Sequence, residues 1–317
     1  MEKLVSICLA TYNGSQYLKE QLDSLCNQTY QNIEILIQDD ASSDTTVDLI
    51  QTYRMHHNIQ LFVNDTNLGY IKNFETLIQK AKGEYIALCD QDDIWNENKI
   101  ELLVKSIGTH SLIYSNSLLI DSNGNSLQKT LQEKLKNNFI DSKEPLNFLF
   151  DNSVSAHAAL FKKELLSTIF PFPKHIYFDA WIALNAANTN GVTYYDKNLV
   201  LYRQHSTNTL GNIKKDKSSA ISKISNKADK KEKNVQLILS KIDELLQMKN
   251  LSNNDQMILK ELQRLYLQFT TKYFNFTLFF FLLKNKELFF KITNKSSLYI
   301  AFKHAIGKKL YKVAPFL

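Results

Sequence analysis

Short apolar runs and helical stripes alternate through the first 110 residues. The runs are residues 4–10, 33–37, 59–63 and 85–89, each carrying β-branched or aromatic side chains. Between them apolar positions return every three to four residues: Tyr17, Leu18, Leu22 and Leu25, then Val47, Ile50 and Tyr53, then Ile71, Phe74, Leu77 and Ile78. Strand-like runs separated by helices of this length predict βαβ units and a mainly parallel sheet flanked by helices, an α/β fold. Beyond residue 110 the pattern loosens. Residues 112–120 read as a strand, Asp121-Ser122-Asn123-Gly124 as a turn, and the polar stretch 126–144 as a mobile loop. Residues 156–161 predict a short strand, 178–187 a helix ended by Gly191, and 192–195 and 199–202 two more strands. No glycine follows Gly211 until Gly307 and no proline follows Pro173 until Pro315. The lysine-rich stretch 214–233 and the amphipathic stretch 235–246 therefore open a helical region, and a boundary near 210 separates domain 1–210 from domain 211–317.

Open parallel sheets bind ligands at the carboxyl ends of their strands, and here those ends carry the chemistry. The first strand runs into Thr11-Tyr12-Asn13-Gly14, the second into Asp39-Asp40-Ala41-Ser42-Ser43-Asp44, and the fourth into Asp90-Gln91-Asp92-Asp93-Ile94-Trp95. Six carboxylates crowd the last two of these segments, and such groups repel unless a cation or hydrogen-bond donors compensate. Hard divalent cations, which take oxygen ligands and bind substrate phosphates, suit them. Asp40 and Asp44 can alternatively cap the next helix, and for Asp44 the cap is the favoured reading.

Composition narrows the class. Over 317 residues, 44% are hydrophobic and 22% charged, which excludes a fibrous or wholly disordered chain. Cys8, Cys26 and Cys89 form no CxxC pair, so neither a disulfide framework nor a zinc module is expected, and a reducing cytosol fits. The start does not read as a signal peptide. Charge divides the chain: residues 1–200 hold 16 Lys/Arg against 24 Asp/Glu, a net of −8, and residues 201–317 hold 22 against 8, a net of +14. From Tyr266 on, Tyr273, Phe274, Phe276 and Phe279 to Phe281 mix with Lys284, Lys286 and Lys291, and Lys308, Lys309 and Lys312 follow. Two readings stand: helices lying on an anionic membrane surface, or a helical hairpin packed on the first domain or on a second copy, a homo-oligomer. No run reaches the roughly 18 apolar residues of a membrane span. No nucleic-acid-binding motif accompanies the lysines, so nucleic acid is not an expected partner.

The stretch Val5-Ser6-Ile7-Cys8-Leu9-Ala10-Thr11-Tyr12-Asn13-Gly14, then Asp39-Asp40-Ala41-Ser42-Ser43-Asp44-Thr45, Gly83-Glu84-Tyr85-Ile86-Ala87 and the Asp90-to-Asp93 cluster resemble family 2 glycosyltransferases, whose fold is called GT-A. The resemblance covers roughly residues 3–210. It implies that Thr11, Tyr12 and Asn13 line the nucleotide, that Asp40 accepts the N3–H of uracil or thymine, and that Asp90 faces the ribose or holds the turn. It implies Asp92, Asp93 and His205 as ligands of Mn²⁺ or Mg²⁺, Arg203 as a phosphate contact and Asp179 as general base. Many members carry a Glu-Asp pair where this chain has Phe178-Asp179. His157, Trp181 and Trp95 would touch sugar or acceptor. Read from the residues alone, Asp179 is equally a helix cap, the alternative for His205 and Arg203 is a surface group, His157 is equally a packed polar residue, and a tryptophan is more often core.

The implied activity is inverting, metal-dependent transfer of a sugar from a dTDP- or UDP-linked donor to a hydroxyl of a glycan or lipid-linked acceptor. Asp90-Gln91-Asp92-Asp93-Ile94-Trp95 and Tyr202-Arg203-Gln204-His205 look like the rhamnosyltransferase-like subgroup of bacterial surface-polysaccharide synthesis, which suggests dTDP-rhamnose, with a UDP-hexose as the alternative. The expected location is the cytoplasm, peripheral on the inner face of the membrane. A sugar nucleotidyltransferase would need a glycine-rich loop with a basic residue after the first strand, where Thr11 to Gly14 stand instead. A non-catalytic scaffold with a degenerate transferase domain would tolerate loss of acids that are all present.

Overall fold

Each of the four leading apolar runs forms a strand, and the three stripes between them form helices. The structure, a computed structural model, describes residues 2–205 and 222–313. The first part runs β1 (Val5–Thr11), α1 (Ser15–Cys26), β2 (Ile33–Asp39), α2 (Thr46–Arg54), β3 (Ile59–Val63), α3 (Tyr70–Ile78), β4 (Tyr85–Cys89), β5 (Ile94–Trp95), α4 (Lys99–Ser106) and β6 (Leu112–Ile120). It continues through β7 (Ser126–Thr130), α5 (Leu131–Leu135), β8 (Ala159–Lys162), α6 (Leu166–Ile169), α7 (Phe178–Thr189) and β9 (Val192–Arg203). One mixed sheet orders them β3-β2-β1-β4-β8-β6-β9-β5, with β7 on β6. β1 lies parallel between β2 and β4, with Thr11 beside Asp39 and Leu9 beside Cys89. The loops after these three strands therefore leave the same edge of the sheet.

Val5, Ile7, Leu9, Ile35 and Ile37 are buried against Leu18, Leu22, Ile50, Ile100 and Leu103 of the helices. Gly83 sits where backbones meet: a Cβ there would lie 2.6 Å from the Ser6 nitrogen and 2.8 Å from the Leu4 oxygen. Its own N–H donates to Ser6 Oγ (2.8 Å).

Several elements differ from expectation. The polar stretch 126–144 is not loop throughout. Its start pairs with β6 as β7, and Thr130 and Glu133 form a reciprocal capping box that starts α5. The two strands expected at 192–195 and 199–202 are one strand, β9, whose register against β6 shifts around Asn116 and absorbs the polar residues between them. Residues 156–158 form a 3₁₀ turn before β8. The two-residue strand β5, too short to show a period, pairs antiparallel with β9, Ile94 with Leu201 and Trp95 with Val200.

The chain divides into two compact units. Residues 2–145, 153–172 and 178–205 make the first, and residues 146–152, 173–177 and 222–313 the second. The boundary expected near 210 and the start of the lysine-rich stretch lie outside the described residues. The second unit is helical: α8 (Ser222–Leu246), α9 (Asn253–Leu267), α10 (Phe276–Lys284), α11 (Lys286–Phe289), α12 (Ser297–Ala305) and α13 (Lys308–Val313). Val235, Ile242 and Leu245 of α8 and Leu259, Leu262 and Leu265 of α9 form its core. Glu244 of α8 accepts the N–H groups of Lys174 (3.0 Å) and His175 (3.1 Å), which ties segment 173–177 to this unit. Among the described residues, no helix is long and apolar enough to cross a membrane.

Candidate active site

The loops at the carboxyl edge are organised by a carboxylate that sequence reasoning counted but gave no role. Asp39 is fully buried. Its Oδ2 accepts from Thr11 Oγ1 (2.7 Å) and Ser42 Oγ (2.7 Å), and its Oδ1 accepts from Ser42 N (2.8 Å). This corrects the expectation for Thr11: its hydroxyl points inward to Asp39 and shapes the loop instead of lining a ligand. Asn13 adopts a positive φ of 46°, donates its N–H to Ser42 Oγ (2.8 Å) and accepts from Ser43 N (2.9 Å). Gln91, also missed, clamps Tyr12 from the third loop. It accepts the Tyr12 N–H (2.8 Å) and donates to the Tyr12 carbonyl (3.1 Å), leaving the ring 46% exposed. Asp44 serves as a cap, accepting from Ser15 N (3.2 Å) at the start of α1 and Thr46 N (3.0 Å) at the start of α2.

Asp40 is buried and anchors the segment after β3. It accepts from Asn64 Nδ2 (2.8 Å), Leu68 N (2.8 Å) and Gly69 N (2.9 Å). A carboxylate offers about four lone-pair positions, so about one remains for an outside N–H donor.

The β5–β9 pairing carries the end of β9 to the Asp90–Asp93 turn, 110 residues away in sequence, where Arg203 N donates to Asp93 Oδ1 (3.0 Å). Arg203 itself is 1% exposed. Its Nε donates to the Asp92 carbonyl (2.9 Å), its guanidinium pairs with Glu20, and it lies 4.8 Å over the Tyr17 ring. The expected phosphate contact is thus corrected: a guanidinium buried among these partners holds the acidic turn. Two residues on, His205 Nε2 meets Asp92 Oδ2 at 2.7 Å.

Asp93 does not join that pair. It points below the turn, fully buried, and its Oδ2 has no hydrogen-bond partner. Oxygens of Asp90 and Asp93 and a ring nitrogen of His157 lie within 4.8 Å of one another. The expected trio is therefore split into Asp92 with His205, and Asp93 with Asp90 and His157. His157 is buried, stacked on Tyr202 (4.4 Å) and bonded to Ser117 Oγ (3.0 Å), which corrects its expected sugar contact. The two tryptophans are corrected likewise. Trp181 is 7% exposed and donates to the Ile169 carbonyl (2.9 Å); Trp95 is 3% exposed, its ring 3.1 Å from Lys99 Nζ. Lys99, unremarked in the sequence, is fully buried and donates to the His157 carbonyl (2.6 Å).

Burial sets the protonation of this cluster. It holds the His157 imidazole neutral, with its pKa lowered to about 3, and lowers Lys99 to about 7. Desolvation, then the charges of Asp92 and Asp179, raise Asp90 to about 7, although 41% of its side chain still meets solvent. Desolvation, then Asp92 and Asp90, push Asp93 well above the usual carboxylate range. Asp179, in the first turn of α7, is raised to about 6 by burial, partly opposed by the Ala180 N–H that it accepts (2.6 Å). Carboxylates that resist ionisation together, one with a buried unpartnered oxygen, fit a cation. Carboxylate oxygens beside an imidazole, as in Asp92 with His205 and in Asp90 and Asp93 with His157, suit Mn²⁺ better than the more strictly oxygen-seeking Mg²⁺.

A stability prediction follows. Folded Asp90 holds its proton up to about pH 7, whereas the unfolded group releases it near 3.8. The folded state therefore binds more protons across that window, and stability falls as pH rises through it. With EDTA present, Asp90→Asn is expected to raise Tm at pH 8 and to leave it nearly unchanged at pH 4. A lower Tm at pH 8 would mean that the charge is compensated within the protein.

Glycosyl transferase family 2 matches residues 6–170. The glycosyltransferase GlyG of Streptococcus pneumoniae serotype 4 is 37% identical over 108 residues, which span 34% of this chain and 36% of that protein. The dTDP-rhamnosyl transferase RfbG of Shigella flexneri is 30% identical over 223 residues, 64% of this chain and 73% of RfbG. Among solved structures, Staphylococcus aureus TarS 1-349 in complex with UDP-GlcNAc superposes with a TM-score of 0.58 at 19% identity, covering 84% of this chain and 72% of that one. The mannosyltransferase PcManGT from Pyrobaculum calidifontis, in complex with GDP-Man and Mn²⁺, does so with 0.53 at 15% identity, covering 95% and 74%. At these identities the structural likeness establishes the fold, a GT-A sheet with flanking helices.

Proposed function

This chain belongs to glycosyl transferase family 2, and from that premise we propose that it moves a sugar, with inversion, from a nucleoside-diphosphate donor to a hydroxyl of a glycan or lipid-linked acceptor in bacterial surface-polysaccharide synthesis. The observation that carries the reading is the 2.7 Å contact of Asp92 with His205 across 113 residues, at the sheet edge from which the Tyr12 and Asp40 loops also emerge. Tyr12 and Asn13 form the rim for the nucleotide. Asp40 offers its remaining acceptor position to the imide N–H of uracil or thymine. Asp92 and His205 are the donors that would hold Mn²⁺, which when bound offsets the charge of the diphosphate leaving group. Arg203 and Gln91 hold these loops in register.

Asp179 would take the proton from the acceptor hydroxyl as that oxygen attacks the anomeric carbon from the face opposite the nucleotide. The C–O bond to the diphosphate breaks in the same displacement, so the configuration inverts. With its pKa near 6, Asp179 is ionised at neutral pH and more basic than an ordinary carboxylate.

The uracil and thymine edges are alike at Asp40, so the donor is argued from relatives. RfbG favours dTDP-rhamnose, and the UDP-GlcNAc complex of TarS favours a UDP-hexose as second choice. A thermal-shift screen of dTDP-rhamnose, UDP-GlcNAc, UDP-glucose and GDP-mannose with Mn²⁺ tests this. At 100 times its Kd the true donor adds about 2.7 kcal/mol. The largest shift is expected with dTDP-rhamnose. No shift with any nucleotide sugar, with or without Mn²⁺, would overturn the reading.

A further inference from the structure

We propose that the α10–α12 hairpin of the second unit is a docking face for an anionic lipid bilayer. Its ends are held by the backbone: Asn275 N donates to Ala305 O (2.8 Å) and Gly307 N to Tyr273 O (2.9 Å). A Cβ at Gly307 would lie 2.2 Å from the Lys272 carbonyl, so this close join needs glycine. The apolar stripe facing inward is ordinary, with Leu278, Leu282, Ala301 and Ala305 buried. The outer face is not. Phe276 is 67% exposed, Phe280 63%, Leu298 59%, Tyr273 55%, Tyr299 50% and Phe302 42%.

These residues form one surface. Phe274 contacts the rings of Phe276 (4.8 Å) and Phe302 (5.4 Å), and Phe279 contacts that of Phe280 (5.2 Å). An open groove of about 420 Å³ runs between Phe279, Leu298, Tyr299 and Phe302. A contiguous exposed apolar patch marks an interaction site.

Charge identifies the occupant. Residues 266–317 contain nine lysines and one acid, Glu287. Two of the lysines border the patch: Lys303 Nζ lies 4.7 Å from the Tyr299 ring and Lys309 Nζ 5.8 Å from the Tyr273 ring. A second copy of this face would bring like charges together, because a two-fold interface apposes the same patch on both subunits. An anionic bilayer reverses that sign. It takes aromatic side chains at the headgroup–acyl boundary and lysines against its phosphates. No described helix can cross the bilayer, so the face lies on it.

The test is co-sedimentation of the full chain with phosphatidylcholine vesicles, with and without about 30 mol% phosphatidylglycerol, enough anionic lipid for basic residues to sense. The chain is expected to bind only the anionic vesicles and to be released by salt. Phe276→Ser/Phe280→Ser and, separately, Lys303→Glu/Lys309→Glu are each expected to lower binding at least about tenfold, at an unchanged melting temperature because the altered side chains are exposed. Equal binding of neutral vesicles, or both variants binding as the unaltered chain does, overturns the proposal. So does loss of a dimer in either variant with vesicle binding intact, which would assign the face to a second copy. The readout is lipid binding, so it is independent of whether sugar transfer is established.

Discussion

Asp92→Ala is expected to abolish the Mn²⁺-dependent stabilisation of this protein by a nucleoside diphosphate and to lower sugar transfer by about 10²–10³-fold or more, the scale on which one preorganised electrostatic group contributes. The side chain is 15% exposed, its position set by the Asp92 carbonyl, which accepts from Arg203 Nε, and by His205 on its carboxylate. Removing the carboxylate leaves a single imidazole nitrogen as the remaining donor of that pair, and a hard cation is held poorly by one nitrogen. His205→Ala is the milder change, since the carboxylate stays. Two readouts separate binding from chemistry: the melting shift produced by UDP or dTDP with and without Mn²⁺, and turnover. Full turnover in excess EDTA, or a Mn²⁺-dependent shift that survives Asp92→Ala, would show that the Asp92–His205 pair is structural.

Asp179→Asn should lower transfer by about 10²–10⁴-fold, the range for loss of a positioned general base, with donor-induced stabilisation kept. The amide oxygen can still accept the Ala180 N–H, so the start of α7 survives and base is distinguished from cap. The pH dependence is a second signature. A base acts deprotonated, so turnover should rise with pH through about 6 and level off above it, where burial has placed Asp179. The Asn variant should lose that limb. Stability moves oppositely: ionising a carboxyl whose folded pKa is raised costs the folded state as pH climbs from about 4 to about 6, and the Asn variant escapes that cost. A variant that keeps more than about a tenth of normal turnover would make Asp179 a helix cap and send the search for the base elsewhere.

Much of this arrangement was readable along the chain, because strands and helices announce themselves by local period. The run 112–120 is β6 to the residue, and 59–63 and 85–89 are β3 and β4. The acidic turns after β2 and β4 fall together at one sheet edge because parallel βαβ connections return every strand in the same direction. What escaped was too short or too polar for period to register. β5 has two residues, β7 is polar apart from Leu127, and α5 depends on a capping box that no hydrophobic stripe reports.

The kinds of groups at the site, carboxylates with two imidazoles and a strand-end loop on a GT-A sheet, were determined by the sequence alone. Which of those groups face outward was decided only by tertiary structure. The family resemblance implies a phosphate-facing Arg203 and ligand-facing Trp95, Trp181, His157 and Thr11. Each is buried, and for four of them partners elsewhere in the chain satisfy the polar group: the Asp92 carbonyl and Glu20 for the guanidinium, the Ile169 carbonyl for the Trp181 indole, Ser117 for His157 and Asp39 for Thr11, whereas the Trp95 ring packs against Lys99 four residues on and its indole N–H has no hydrogen-bond partner among the described residues. The division of Asp92 from Asp93 has the same origin. The two are adjacent in the chain, but pairing of β5 with β9 turns one carboxylate to His205 and the other under the turn, toward the Arg203 N–H. A side chain's direction is set by the strand that grips its backbone, and that strand lies more than a hundred residues away.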